Sequence, residues 1–359
     1  MENKTRLDQI KDLLESNNFP KFRYEQIRAA IFSSPNTLFS QISTLPKNIK
    51  ELLLQNFGDD ILSLKLVNEI KGAQAHKVLF ETRDGHQIES VRLTYHLNQN
   101  GTDTIHNSLC ISTQSGCALG CLFCATGAIG FKKNLTADEI LDQVLYFLKN
   151  NLSLDSIIFM GMGEPLSNPI NTFKSIDLMT SKDGLNLSPR RLSLSTVGII
   201  PGIERLTAEY PNVNLAYSLH NPFNDERLRL MPVTKAYPIE KVFAAIDNHL
   251  KITNHKVFLA YILLKDINDS ERHAQALADL VKATSTRQKL LHVNLIRYNP
   301  GDSLTVYQKP TNSAIENFQN ILSRNNIHFT LRQDFGTDIK AACGQLAANY
   351  LKKELHSQA

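Results

Sequence analysis

Hydrophobic positions in the first sixty residues recur at helical spacing. Over residues 6–57 the apolar side chains return every three or four positions, with breaks at Asn17-Asn18, Ser34-Pro35-Asn36 and Pro46. Asparagine, proline and serine at such breaks are typical of helix ends and turns. The pattern therefore predicts an N-terminal domain of short amphipathic helices, which we assign to residues 1–60.

The following stretch has the alternation of β-strands. Residues 77–82 and 89–93 are rich in β-branched and apolar side chains and flank a turn at Asp84-Gly85. Residues 96–106 are mostly polar and predict a linker or loop. Residues 61–107 are therefore expected to be a small β extension that ends in a linker.

From residue 108 onwards, strand patterns alternate with helix patterns. The candidate strands cover residues 109–113, 156–160, 191–196, 214–219, 256–263, 291–298 and 328–332. The candidate helices cover residues 136–149, 171–179, 202–210, 239–250, 270–282 and 314–325. The strands are short Leu-rich or β-branched runs, which predicts a parallel sheet buried on both faces. Repeated units of this kind predict an α/β fold with a full or partial β/α barrel, here over residues 108–335, followed by a C-terminal segment at 336–359.

Composition narrows the class of protein. The chain has 359 residues, 42% of them hydrophobic and 21% charged, which suits a barrel plus an addition. It has no apolar run of about 18 residues and no apolar segment near its polar N-terminus, so we expect a cytoplasmic protein without a membrane span. A net charge of +4 permits nucleic-acid binding without establishing it.

Three of the five cysteines lie within eight positions, in Cys117-Ala118-Leu119-Gly120-Cys121-Leu122-Phe123-Cys124. Three thiolates at this spacing, directly after a barrel strand, can hold one face of a four-iron, four-sulfur cluster and leave one iron open. A structural zinc site would need four ligands, usually from two C-x2-C pairs, and His106 could complete such a site. A redox disulfide would join two of the three thiols and would not use the third.

This triplet resembles the iron–sulfur motif of the radical S-adenosylmethionine (SAM) enzymes. The following Ala125-Thr126-Gly127 and Phe131-Lys132-Lys133-Asn134-Leu135-Thr136 strengthen the likeness. In that superfamily the open iron binds the amino and carboxylate groups of SAM, and an electron from the cluster releases a 5′-deoxyadenosyl radical. The resemblance therefore implies Cys117, Cys121 and Cys124 as metal ligands, and both the cluster and SAM as cofactors.

Several further motifs fall where predicted strands end. Phe159-Met160-Gly161-Met162-Gly163-Glu164-Pro165 resembles the Gly-rich segment that holds the SAM amino group in this superfamily. Small polar groups follow other strands, and each taken alone is more typical of a strand-end cap or of a hydrogen-bonded histidine than of a ligand contact. Their common position at the barrel mouth favours ligand binding instead. The predicted cofactor-binding residues are Gly163, Glu164, Ser195, Ser218, Leu219, His220 and Asn299.

Together with these motifs, Cys110 and Ala342-Cys343-Gly344-Gln345-Leu346 resemble the radical SAM RNA methyltransferases of the RlmN/Cfr family over nearly the whole chain. The resemblance implies that a Cys343 thiolate accepts a methyl group from one SAM, and that the radical from a second SAM activates this methyl for addition to an adenine carbon. It also implies that Cys110 acts as base and resolving thiol through a Cys110–Cys343 disulfide, and that Glu89 is a proton acceptor. Without the resemblance, Glu89 would be an exposed strand carboxylate.

Within the family, carbon 8 and carbon 2 of the adenine distinguish two branches. Residues 131–136, 292–300 and 333–338 resemble the Cfr branch, which methylates carbon 8 of the peptidyl-transferase-centre adenosine of 23S rRNA and protects ribosomes from antibiotics. Pro165 resembles the RlmN branch, which methylates carbon 2 and also a tRNA adenosine. We favour the Cfr branch. The resemblance also implies a monomer that meets its rRNA before ribosome assembly is complete, with a flavodoxin or ferredoxin as electron donor.

Two other classes of function stay open from sequence. One is a radical SAM enzyme that acts on a small molecule or a peptide, in which case the N-terminal domain has no evident use. The other is a non-catalytic RNA-binding module that holds iron–sulfur or zinc. Binding to RNA that weakens with salt would argue against the first, and reductive SAM cleavage would exclude the second.

Overall fold

The N-terminal residues form the predicted helices. The computed structural model describes residues 4–33, 37–99, 102–284, 287–300, 306–333 and 339. Helices α1 (Arg6–Ser16), α2 (Phe22–Ser33) and α3 (Lys47–Phe57) bury their apolar stripes. The N-cap Thr5 accepts a hydrogen bond from the main-chain N–H of Asp8 and the Asp8 carboxylate accepts one in return, which fixes the start of α1.

Four antiparallel strands follow: β1 (Lys65–Lys71), β2 (Ala75–Glu81), β3 (Gln87–Gln99) and β4 (Thr102–Cys110). The prediction of a loop at residues 96–106 is wrong, because β3 and β4 form one long hairpin there. Its register runs without interruption to Gln99↔Thr102. The polar residues do not prevent pairing, since side chains such as His96 and Asp103 are exposed and contact each other across the two strands at 3.0 Å.

The rest of the chain alternates strands and helices as predicted. The strands are β5 (Gln114–Ser115), β6 (Lys133–Asn134), β7 (Ser156–Phe159), β8 (Leu192–Thr196), β9 (Asn214–Ser218), β10 (Val257–Leu263), β11 (Leu291–Arg297) and β12 (Phe329–Leu331). The helices are α4 (Ala125–Ile129), α5 (Ala137–Lys149), α6 (Pro169–Thr180), α7 (Ile200–Glu209), α8 (Asn224–Leu230), α9 (Ile239–Thr253), α10 (Glu271–Thr284) and α11 (Asn312–Arg324). No helix in the described ranges is both long and apolar enough to cross a membrane.

One ten-stranded sheet runs through the molecule in the order β1-β2-β3-β4-β7-β8-β9-β10-β11-β12. Strand β4 pairs antiparallel with β3 on one side and parallel with β7 on the other. All pairs from β4–β7 to β11–β12 are parallel, which confirms the α/β class. The β extension and the parallel strands therefore share one continuous sheet.

The two faces of the parallel strands differ in burial. Leu192 and Leu194 of β8 are fully buried in the core with Leu206 of α7 and Val242 of α9, whereas the alternating serines of β8 are half-buried. Strands β7 and β11 show the same alternation. The expectation that all strands are buried on both faces is therefore wrong for β7, β8 and β11, where only the side under the helices is fully covered, whereas β10 is buried on both faces from Leu259 to Leu263. We call the other side the inner face; it carries Cys110, Ile158, Ser193, Ser195 and Ser218, in register across β4 to β9.

Candidate active site

The three clustered cysteines lie on a loop that leaves the sheet after β4. The short pair β5–β6 closes the base of this loop, and the main-chain N–H of Cys117 donates to the carbonyl of Gly130 at 3.1 Å. Gly116 has φ +70°, and a Cβ there would lie 1.8 Å from the Gly130 oxygen. Only glycine fits this position, so the loop is held against its own return segment.

Cys117, Cys121 and Cys124 are half-buried free thiols. Burial and the neighbouring Cys124 raise the pKa of Cys117 to about 12, and burial with both neighbouring thiols raises the pKa of Cys121 further. Without metal Cys117 and Cys121 are protonated at neutral pH, and binding iron would release their protons. Cys121 and Cys124 pack against an apolar cluster that includes Phe123 and Met231, which keeps this side of the loop dry.

The donor set fits a four-iron cluster better than a zinc ion. In the part of the chain that the structure describes, no three His, Cys, Asp or Glu side chains are arranged to hold a metal ion. A cuboidal cluster spreads its sulfur ligands further apart than a single ion does, so three thiols on one loop satisfy it. His106 does not lie with the triplet: it is on β4, where its ring contacts the Ser156 hydroxyl at 3.2 Å and the Tyr95 ring at 5.2 Å.

Gly163 and Glu164 lie at the end of β7, as predicted. Gly163 has φ +94°, and a Cβ there would lie 2.5 Å from the side chain of Gln114, so the backbone passes very close to the cysteine loop. The buried Glu164 carboxylate accepts hydrogen bonds from the main-chain N–H groups of Leu166 at 3.0 Å and Val197 at 2.9 Å. Burial raises its pKa to about 7. Glu164 therefore joins the end of β7 to the end of β8, and its contact with SAM stays a prediction.

Ser195 and Ser218 come together at the neighbouring strand ends. Their hydroxyl oxygens are 3.3 Å apart, and both side chains are half-buried on the inner face. Asn299 is also half-buried and lies two residues after the end of β11. These positions agree with the predicted address at the barrel mouth, where the parallel strands end.

The next two predicted residues, Leu219 and His220, are fixed by the protein itself. Leu219 is fully buried in the core, so its side chain is not available to a ligand. His220 is left-handed with φ +58°, and its Nδ1 accepts a hydrogen bond from the main-chain N–H of Ile262 at 3.0 Å. Burial and the charge of Arg227 lower its pKa to about 3, so the ring is neutral and carries its proton on Nε2. Its ring lies edge-on to the ring of Phe123, a residue of the cysteine loop, with 5.1 Å between the two ring centroids.

Glu89 and Cys110 share a sheet face with a buried lysine. Lys77 and Cys110 both lie opposite Val91, and Glu89 is two residues before Val91, so all of these side chains point the same way. Glu89 is 2% exposed, and its Oε1 lies 3.3 Å from Nζ of Lys77. Glu89 is thus a buried, ion-paired carboxylate and not an exposed one. Cys110 is half-buried, whereas Cys343 lies outside the described residues.

Sequence reasoning did not find Arg227, a fully buried arginine on α8 that contacts the strand ends. No signal in the sequence separates it from Arg229 two positions later, which is exposed. Its partner Val197 is 30 residues away in the chain, so only the fold identifies it.

Comparisons with known proteins agree with this architecture. The family model described as "Radical SAM superfamily" matches residues 111–277. "Ribosomal RNA large subunit methyltransferase Cfr" of Staphylococcus aureus is 47% identical over 349 residues, which cover 97% of this chain and 98% of that protein. The protein of the same name from Bacillus velezensis is 43% identical over 355 residues and covers 99% of each chain.

A solved structure has the same fold. The crystal structure of a radical SAM methyltransferase from Sphaerobacter thermophilus superimposes with a TM-score of 0.87 at 34% identity, over 96% of this chain and 98% of that chain. The likeness includes the N-terminal helices and the β extension, since almost the full length is covered. The chain therefore belongs to the Cfr family of radical SAM methyltransferases.

Proposed function

We propose that this protein methylates carbon 8 of the peptidyl-transferase-centre adenosine in 23S rRNA and thereby protects ribosomes from antibiotics. The observation that carries the proposal is the nearly full-length likeness to proteins named as ribosomal RNA large subunit methyltransferases. The site geometry supports it, because the cysteine loop, the polar strand ends and Cys110 all lie at the mouth of one barrel.

Cys117, Cys121 and Cys124 would hold a four-iron, four-sulfur cluster, since they are the free thiols of one glycine-closed loop. When bound, the cluster supplies the electron that cleaves SAM. The half-buried Ser195 and Ser218 can donate hydrogen bonds to SAM from the inner face, while the apolar cluster beside the loop excludes water.

Glu89 and Cys110 would handle protons and the covalent link to RNA. Glu89 is held in a fixed position, with its Oε1 3.3 Å from Nζ of Lys77, and a positioned carboxylate can serve as a proton acceptor. Cys110 lies on β4 and Glu89 on the neighbouring strand β3. Their side chains share one face of the sheet, so both can serve one bound base. Cys343 is proposed as the thiol that carries the methyl group to the base.

The RNA base must leave its stack before it can reach the inner face. We therefore propose that the substrate is 23S rRNA whose target nucleotide is not yet enclosed in an assembled ribosome. We further propose that the protein acts as a monomer in the cytoplasm, uses two SAM molecules in each turnover and receives electrons from a flavodoxin or ferredoxin.

The test is the identity of the methylated carbon. The anaerobically reconstituted protein is incubated with a 23S rRNA fragment, SAM and reductant, and the nucleosides from digested RNA are compared by mass spectrometry with 8-methyl and 2-methyl standards. We expect 8-methyladenosine at the peptidyl-transferase adenosine. Only 2-methyladenosine would assign the RlmN-type activity instead, and no RNA methylation despite SAM cleavage would contradict an RNA substrate.

A further inference from the structure

Arg227 is a fully buried cation whose described partners are all uncharged. Its Nε donates to the carbonyl of Leu219 at 2.9 Å, its Nη2 to the carbonyls of Val197 at 2.8 Å and Ser218 at 3.1 Å, and its Nη1 to the hydroxyl of Thr234 at 2.7 Å. Among the described residues, no carboxylate forms an ion pair with it. A buried charge is normally paired with an opposite charge, because its desolvation is costly.

The groups that Arg227 contacts are parts of the candidate active site. Val197 follows β8, and its N–H donates to Glu164 while its carbonyl accepts from Arg227. At the end of the helix that carries Arg227, the carbonyl of Leu230 accepts a hydrogen bond from the main-chain N–H of Leu122 at 3.0 Å. Leu122 lies inside the cysteine loop, so the backbone of α8 is joined directly to that loop.

The space between Arg227 and the loop is apolar. Leu230 and Met231 belong to the cluster against which Cys121 and Cys124 pack. Charges separated by such a medium interact much more strongly than charges in water. The guanidinium is thus placed to act on any negative charge that the cysteine loop carries.

An iron–sulfur cluster provides such a charge. Three thiolates make a four-iron cluster anionic, and its reduction adds one electron and one more negative charge. We propose that Arg227 is a positioning residue that supplies the balancing positive charge for this cluster, raising its reduction potential, while it holds together the ends of β8 and β9. This inference rests on the proposed cluster but not on the proposed RNA substrate.

The experiment compares the reconstituted protein with the variants Arg227→Gln, Arg227→Lys and Arg229→Gln. Iron and sulfide content are measured first, and the cluster is then titrated with reductant and followed by electron paramagnetic resonance, without SAM or RNA. For Arg227→Gln we expect the ratio of reduced to oxidised cluster at a fixed potential to fall about tenfold, which is about 59 mV for a one-electron couple. Arg227→Lys keeps the charge and is expected to stay near the wild-type ratio, as is the exposed control Arg229→Gln.

Each outcome bears on the proposal. A wild-type potential in fully loaded Arg227→Gln would overturn it, as would an equal fall in Arg227→Lys, which would assign the effect to hydrogen-bond geometry. If Arg227→Gln binds no iron, Arg227→Lys decides: iron content and potential like those of wild type support the charge requirement, and loss of iron there overturns it. If the potential of Arg227→Gln shifts as expected but the wild-type protein methylates no RNA, only the proposed function is contradicted.

Discussion

Arg6 and Asp142 form a buried ion pair that fastens α1 to α5, and we expect its disruption to weaken the whole fold. Nη2 of Arg6 lies 2.7 Å from Oδ1 of Asp142, with the two side chains 5% and 0% exposed. Asp142 also accepts a hydrogen bond from the main-chain N–H of Ser63 at 2.5 Å. The Asp142 carboxylate on α5 therefore contacts both α1 and the segment that leads into the β extension.

The variant Asp142→Ala would leave the Arg6 guanidinium buried without this partner. Breaking a buried ion pair from one side costs about 3–5 kcal/mol. The main-chain N–H of Arg6 also donates to the Asp138 carboxylate, and that nearby charge offsets part of the loss. We therefore expect the low end, about 3 kcal/mol, which corresponds to a fall of roughly 4 °C in melting temperature for a chain of this size.

The assay is thermal and urea unfolding of the metal-free protein, with two comparisons. The exposed pair Arg205 and Glu209, at 2.9 Å, serves as control, and Glu209→Ala is expected to cost less than about 1 kcal/mol. The double variant Arg6→Met with Asp142→Leu is expected to be more stable than Asp142→Ala, because neither charge of the pair is then left without the other. The reasoning is refuted if Asp142→Ala behaves like the control, or if the double variant is no more stable than Asp142→Ala.

Three further predictions concern the site and the helical domain. Cys343→Ala should abolish RNA methylation, whereas Cys110→Ala should accumulate a protein–RNA adduct visible on a denaturing gel; methylation by Cys343→Ala would contradict the thiol relay. Gly116→Ala should lose most of its bound iron because its Cβ would meet the Gly130 oxygen, while Gly120→Ala, which carries a similar left-handed strain at φ +60° but has nothing within 4 Å, should lose much less. Burial lowers the pKa of Lys149 to about 8. At this lysine the unfolded chain binds more protons than the folded one between about pH 8 and 10.5, so the contribution of Lys149 to stability should rise with pH in that window, and Lys149→Met should remove this contribution when its pH profile is compared with that of the wild type.

The order of elements and the addresses of the motifs could be predicted from sequence, because both depend on local patterns. Helical spacing defines the first three helices, and the Leu-rich runs define the parallel strands to within a few residues. Cys117, Glu164 and Ser218 each follow a strand, and a parallel sheet brings such positions to one edge.

What sequence reasoning missed depends on contacts between elements, which the local pattern of residues does not show. The polar segment at 96–106 is a strand pair because each strand satisfies the other, which no local propensity reports. Glu89 is buried because Lys77 lies on the neighbouring strand, and Arg227 is buried because strand-end carbonyls surround its guanidinium. In all three cases polar residues take part in the fold through contacts that the local sequence does not reveal.

Strand β4 has a neighbour on each side, antiparallel β3 and parallel β7. A shortened protein that began near residue 102 would present the N–H and C=O groups of β4 to solvent as a raw edge. Such an edge can pair with the edges of other chains, so we expect the truncated protein to aggregate. By covering this edge of β4, the residues before β4 protect the part of the chain that holds the cysteine loop from self-association.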